Sequence, residues 1–82
     1  MMDVGLLWHD SGTEDLAWKL ARAAKRYHDR FGDKPNVCYV NPALLPEGDR
    51  KVNGILVRSS PRVLRHHFWL GREKAEQLTA SA

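Results

Sequence analysis

Two rhythms of apolar and polar positions run along this chain. The first is short. Val4, Leu6, Leu7 and Trp8 form an apolar run that Asp10-Ser11-Gly12 ends. A run of that length bounded by turn residues predicts a buried strand over residues 4–9. The second rhythm is helical. Leu16, Leu20, Ala23, Ala24, Tyr27 and Phe31 recur at intervals of three and four, and at about 100° per residue they share one face. Ser11 and Glu14 have the spacing of a capping box, with Thr13 as an alternative cap. Asp15 adds negative charge near the helix start, where the backbone dipole favours it. Gly32 supplies the stop, and Pro35 follows it.

Short apolar runs return after the helix. Asn36 to Val40 predicts a second strand, closed by Asn41-Pro42. Strand, helix, strand in this order is the βαβ pattern, which predicts a parallel pair with a right-handed crossover. Residues 43–51 read as a loop broken by Pro46, Gly48 and Asp49. A third strand is expected over Val52–Arg58, weakened at Gly54. Ser59-Ser60-Pro61 is a turn, and a fourth strand over Leu64–Leu70 pairs with the third as a hairpin. Glu73 to Ala82 reads as a short terminal helix or a frayed tail. The expected fold is therefore α/β (α+β) and two-layered. Its order is strand-helix-strand-strand-strand, with one main amphipathic helix on a mixed sheet.

Composition narrows the class. At 82 residues the chain is expected to hold a single domain, 1–82, with a thin core. With 43% hydrophobic and 28% charged residues it is expected to fold. Cys38 is the only cysteine, so an internal disulfide is excluded, and the strand context makes it a small buried residue. No apolar run approaches the roughly 20 residues of a membrane helix, and the N-terminus does not read as a signal peptide. A cytoplasmic protein with no membrane contact is the expectation.

Four constellations bear on function. The polar helix face carries Lys19, Arg22, Lys25, Arg26 and Arg30, with Trp18 set among them. Such a face reads as a solvated surface, a protein contact, or a weak polyanion or nucleic-acid site with Trp18 stacking. The net charge of +3 permits nucleic acid without demanding it. The second constellation is His9, Asp10, Ser11 and Asn41. In a parallel sheet these lie at the carboxyl edge, where open α/β folds place ligands, and they also read as ordinary turn residues. The third is Arg65, His67 and Trp69. They alternate with Leu64, His66, Phe68 and Leu70, so one set faces the core and the other faces away. The fourth is the set of candidate nucleophiles, Ser11, Ser59, Ser60 and Cys38. None has an activating context, so no catalytic residue, cofactor or metal ligand is assigned.

The segment Tyr27-His28-Asp29-Arg30-Phe31-Gly32, followed by Pro35-Asn36-Val37-Cys38 and Asn41-Pro42, resembles small bacterial α/β proteins of uncharacterised function. Val52-Asn53-Gly54-Ile55 and His67-Phe68-Trp69-Leu70-Gly71 fit the same picture. The resemblance implies a free-standing bacterial domain and brings no activity with it. The sequence thus favours a non-enzymatic interaction module. A single helix leaves one sheet face poorly covered, which points to a homodimer or a protein partner contacting Trp18, Trp69 and that face. Polyanion binding is the second reading, and a small enzyme at the carboxyl edge of the strands is the third.

Overall fold

A computed structural model describes residues 5–73. One helix, α1 (Leu16–Phe31), packs on a five-stranded sheet. The strands are β1 (Leu6–His9), β2 (Val37–Val40), β3 (Arg50–Val52), β4 (Ile55–Ser59) and β5 (His67–Gly71), in the spatial order β1-β5-β2-β4-β3. β5 is antiparallel to both β1 and β2, β2 and β4 are parallel, and β3 is antiparallel to β4. This is the expected α+β architecture of one main helix on a mixed sheet. Among the described residues no helix is long and apolar enough to cross a membrane.

The helix forms for the reason its periodicity gives. Leu20, Ala23 and Tyr27 are buried on the sheet, with Leu16, Ala17 and Ala24 partly buried beside them. They meet Phe68, Leu70, Cys38, Val40 and Val57, whose alternation puts them on the same sheet face. Each fully buried large side chain here contributes about 1.5–3 kcal/mol. Two details of the helix differ from expectation. Phe31 is 39% exposed and stacks on Tyr27 instead of entering the core. The N-cap is Asp15, whose carboxylate accepts from Trp18 N–H at 2.9 Å. Neither Ser11 nor Thr13 caps, because the helix starts only at Leu16; in the turn before it Asp10 Oδ1 accepts from Gly12 N–H at 2.9 Å. The helix stops where expected, at Gly32 with φ 74°.

The expected third strand is two strands. Asn53 and Gly54 take φ of 52° and 78° between the closing pair Val52 and Ile55. Positive φ at both central residues is a type I′ turn, so Gly54 marks a hairpin and not a weak point in one strand. The expected hairpin of the third and fourth strands does not form. β5 leaves β4, crosses the sheet and inserts between β1 and β2. β1 and β2 therefore run parallel without touching. The β5 segment also starts later than expected. Leu64–His67 is a turn with His66 at φ 67°, and Leu64 is 70% exposed. The expected terminal segment after Glu73 lies outside the described residues.

Candidate interaction surface

The sheet face opposite α1 is only partly covered. Cross-strand register lines Leu7, Trp69, Tyr39 and Arg58 in one row across β1, β5, β2 and β4. His9 and His67 pair in the next row, with ring centroids 4.9 Å apart. The chain between β4 and β5 folds back over the middle of this face, and its Val63 is buried against Val37 and Tyr39. Tyr39 is sealed further by Glu73. The Tyr39 hydroxyl donates to the Glu73 carboxylate, while Asn36 Nδ2 donates to Glu73 O at 2.8 Å and its Oδ1 accepts from Glu73 N at 2.9 Å. Burial and the neighbouring carboxylate push the Tyr39 phenol up to about 12. At the other end Arg58 pairs with Asp49 at 3.2 Å.

Among the described residues the part nearest β1 has no such cover. A groove of about 290 Å³ is lined by Leu7, Arg62, Val63, Leu64, His67 and Trp69. Leu7 is 59% exposed. Gly5 lies close to Leu70 and Trp69: a Cβ there would collide with Leu70 O and crowd the indole ring. The groove runs out to β1, which is the edge of the sheet. Asp10 N–H donates to His66 O at 2.8 Å, which fixes the phase of the β1–β5 ladder. Leu6 and Trp8 spend their backbone groups on β5, and the N–H and C=O of Leu7 and His9 point outward. Among the described residues no backbone or side-chain group bonds to that outer row. The two sheet edges differ. β3 has three residues and exposes Arg50 and Lys51, the usual protection of an edge. β1 has four residues, Leu-Leu-Trp-His, with no formal charge and no proline.

The sequence-nominated residues fall into separate places. His67 and Trp69 do share the open face, as alternation predicts, whereas Arg65 is in the preceding turn, where its carbonyl accepts from His67 Nδ1 at 2.9 Å. Arg22, Lys25, Arg26 and Arg30 are exposed on α1, Lys19 is half-buried, and the Arg22 guanidinium covers the Trp18 ring at 5.0 Å. Trp18 is 42% exposed, so one of its faces is already occupied by its own helix. His9 and Asn41 lie at the carboxyl ends of the parallel strands β1 and β2, with β5 between them and His67 beside His9. Asn41 works as a turn residue: its Nδ2 donates to Val63 O at 3.0 Å and its Oδ1 accepts from Ala43 N at 3.0 Å. Cys38 is fully buried, and burial pushes its thiol up to about 12. A thiol held protonated at neutral pH is a poor nucleophile. Among the described residues no three His, Cys, Asp or Glu side chains gather closely enough to hold a metal.

Set against family models, curated proteins and solved structures, the chain matches none of them. The site's own geometry carries the functional reading.

Proposed function

We propose that this chain is a non-enzymatic interaction module whose primary partner is a second copy of itself, joined β1 edge to β1 edge. The observation that supports the reading is the outer row of β1, to which nothing among the described residues bonds, together with the apolar groove that runs into it. A twofold axis normal to the sheet makes such an edge self-complementary. Residues that face each other must then point to the same side of the sheet, so the pairing centres on a residue and not between two. Centring on Leu7 lets its outward N–H and C=O bond their counterparts in the partner. It also sets the two Leu7 side chains against each other beside Leu64 and Trp69. The product is a continuous ten-stranded sheet, and the protected β3 edges at its ends stop further addition.

Two variants separate edge pairing from other causes of association. Leu7→Pro removes an outward N–H that β5 does not use, and proline is tolerated on an edge strand in that orientation. Leu7→Lys places the usual protective charge there. Sedimentation equilibrium from micromolar to several hundred micromolar should give a dimer for the parent chain and monomers for both variants. Their circular dichroism should be unchanged, and the parent dimer should survive added salt. A parent chain that stays monomeric throughout, or a Leu7→Pro variant that still dimerises, overturns the proposal.

A further inference from the structure

A larger depression lies on the other side of the molecule, away from β1. It occupies about 830 Å³ between α1, the β3–β4 hairpin and the chain ends that enter β2 and leave β5. Its size arises from what the sequence omits. Ala21 and Ala24 are small helix residues that face it, and Gly54 at the hairpin tip has open space where a Cβ would stand. Ile55 and Pro35 complete an apolar floor.

Among the described residues the rim has one sign of charge. Lys25 and His28 come from the helix, Lys34 from the approach to β2, and Arg72 from the end of β5. Among the described residues no carboxylate lines the cavity. Arg72 is already engaged, 3.5 Å from Asp33 and donating to Lys34 O. Lys25 and Lys34 form no ion pair among the described residues. The walls are fixed before any ligand arrives. Asn53 Nδ2 donates to Ala17 O at 3.2 Å and ties the hairpin tip to the helix. Asn36 is held by both backbone groups of Glu73.

We propose that this groove binds a small organic anion, a phosphate monoester or carboxylate carried on a flat apolar body. An apolar floor with a few placed polar groups, in a volume of several hundred Å³, is the usual form of a small-molecule site. Ammonium groups at its rim, without a carboxylate partner among the described residues, select for negative charge, and the low-dielectric floor strengthens that selection. The small residues Ala21, Ala24 and Gly54 leave room for a planar body. The residues come from four separate stretches of chain, so only the fold brings them together. The site is independent of the β1 edge.

The test is an amide NMR titration of the whole chain with 1-naphthyl phosphate and 1-naphthoate, with neutral 1-naphthol as the control. Both anions, or one of them, should give saturable shifts centred on Ala21, Lys25, Asn36 and Gly54, with a midpoint at or below about 1 mM. The better of the two identifies the head group. Naphthol should bind at least tenfold more weakly. Lys25→Glu with Lys34→Glu should weaken anion binding at least tenfold, and Ala21→Trp should abolish it by filling an exposed position. Neither change touches the core, so the rest of the spectrum should persist. The proposal is overturned if neither anion saturates, if naphthol binds equally well, if the shifts centre on Leu7 and Trp69, or if the charge reversals leave binding intact.

Discussion

Alkaline pH offers a quantitative test of how the open sheet face is sealed. Tyr39 has an ordinary value of 10.0, raised to about 12 in the folded chain. Burial is the first cause, because it penalises the phenolate. The second is Glu73, which accepts the hydroxyl proton and opposes a second negative charge beside its own. The folded state therefore holds this proton more tightly than the unfolded chain. Its contribution is complete below pH 10 and is lost as pH rises from 10 towards 12. A rise from 10.0 to about 12 is worth on the order of 2–3 kcal/mol at about 1.36 kcal/mol per tenfold. Tyr39→Phe keeps the ring and removes the proton. At pH 8 it should be less stable than the parent by about 1.5–3 kcal/mol, the worth of a hydrogen bond to a charged group. Cys38 is also raised, from 9.0 to about 12, but it titrates alike in both proteins and cancels from the difference. Urea unfolding at steps from pH 8 to 12 should show the two curves converging above pH 10. Absorbance of the tyrosinate band would report the titration directly. Two curves that stay parallel to pH 12 would refute the assigned environment of Tyr39.

The remaining expectations concern local structure. Asp15→Ala removes the cap that accepts from Trp18 N–H and should cost about 1 kcal/mol in urea unfolding, whereas Ser11→Ala should change stability by less than about 0.5 kcal/mol. Gly54→Ala forces a side chain into φ 78° and should cost about 1–2 kcal/mol, although nothing crowds the new Cβ. A cost near zero would mean that the hairpin is not type I′.

The parts of the fold that were legible in the sequence are those with local causes. The α1 stripe, its stop at Gly32 and the alternation of His67, Phe68, Trp69 and Leu70 needed only the spacing of neighbours. The Asn53-Gly54 turn carried an equally local signal, since Asn-Gly flanked by Val52 and Ile55 is a strong hairpin pattern. Reading Gly54 as a flaw in one strand concealed it. The helix start was ambiguous because Ser11 and Glu14 match a capping box, while Asp10 and Asp15 each make the hydrogen bond that decides the local conformation. The insertion of β5 between β1 and β2 has no local cause. It depends on which strand buries Phe68 and Leu70 best, and that is a property of the assembled core. The strand that separates His9 from Asn41 was hidden for the same reason. The anion groove was beyond sequence reasoning because Lys25, Lys34, Asn53 and Arg72 are brought together only by the fold. The β1 edge needed the strand order before it could be recognised as an edge.

Self-association through β1 is tested most directly by isotope-filtered NMR on a mixed sample, half of it labelled, at a concentration where sedimentation gives dimers. In an antiparallel pairing centred on Leu7, Leu6 faces Trp8 of the partner subunit across a non-hydrogen-bonded position, with Cα atoms about 4.5 Å apart. Intermolecular cross-peaks between the Leu6 and Trp8 Hα protons are the expected result. Intermolecular peaks arising only from α1, at Trp18 or Arg22, would place the interface on the helix and contradict the β1 edge.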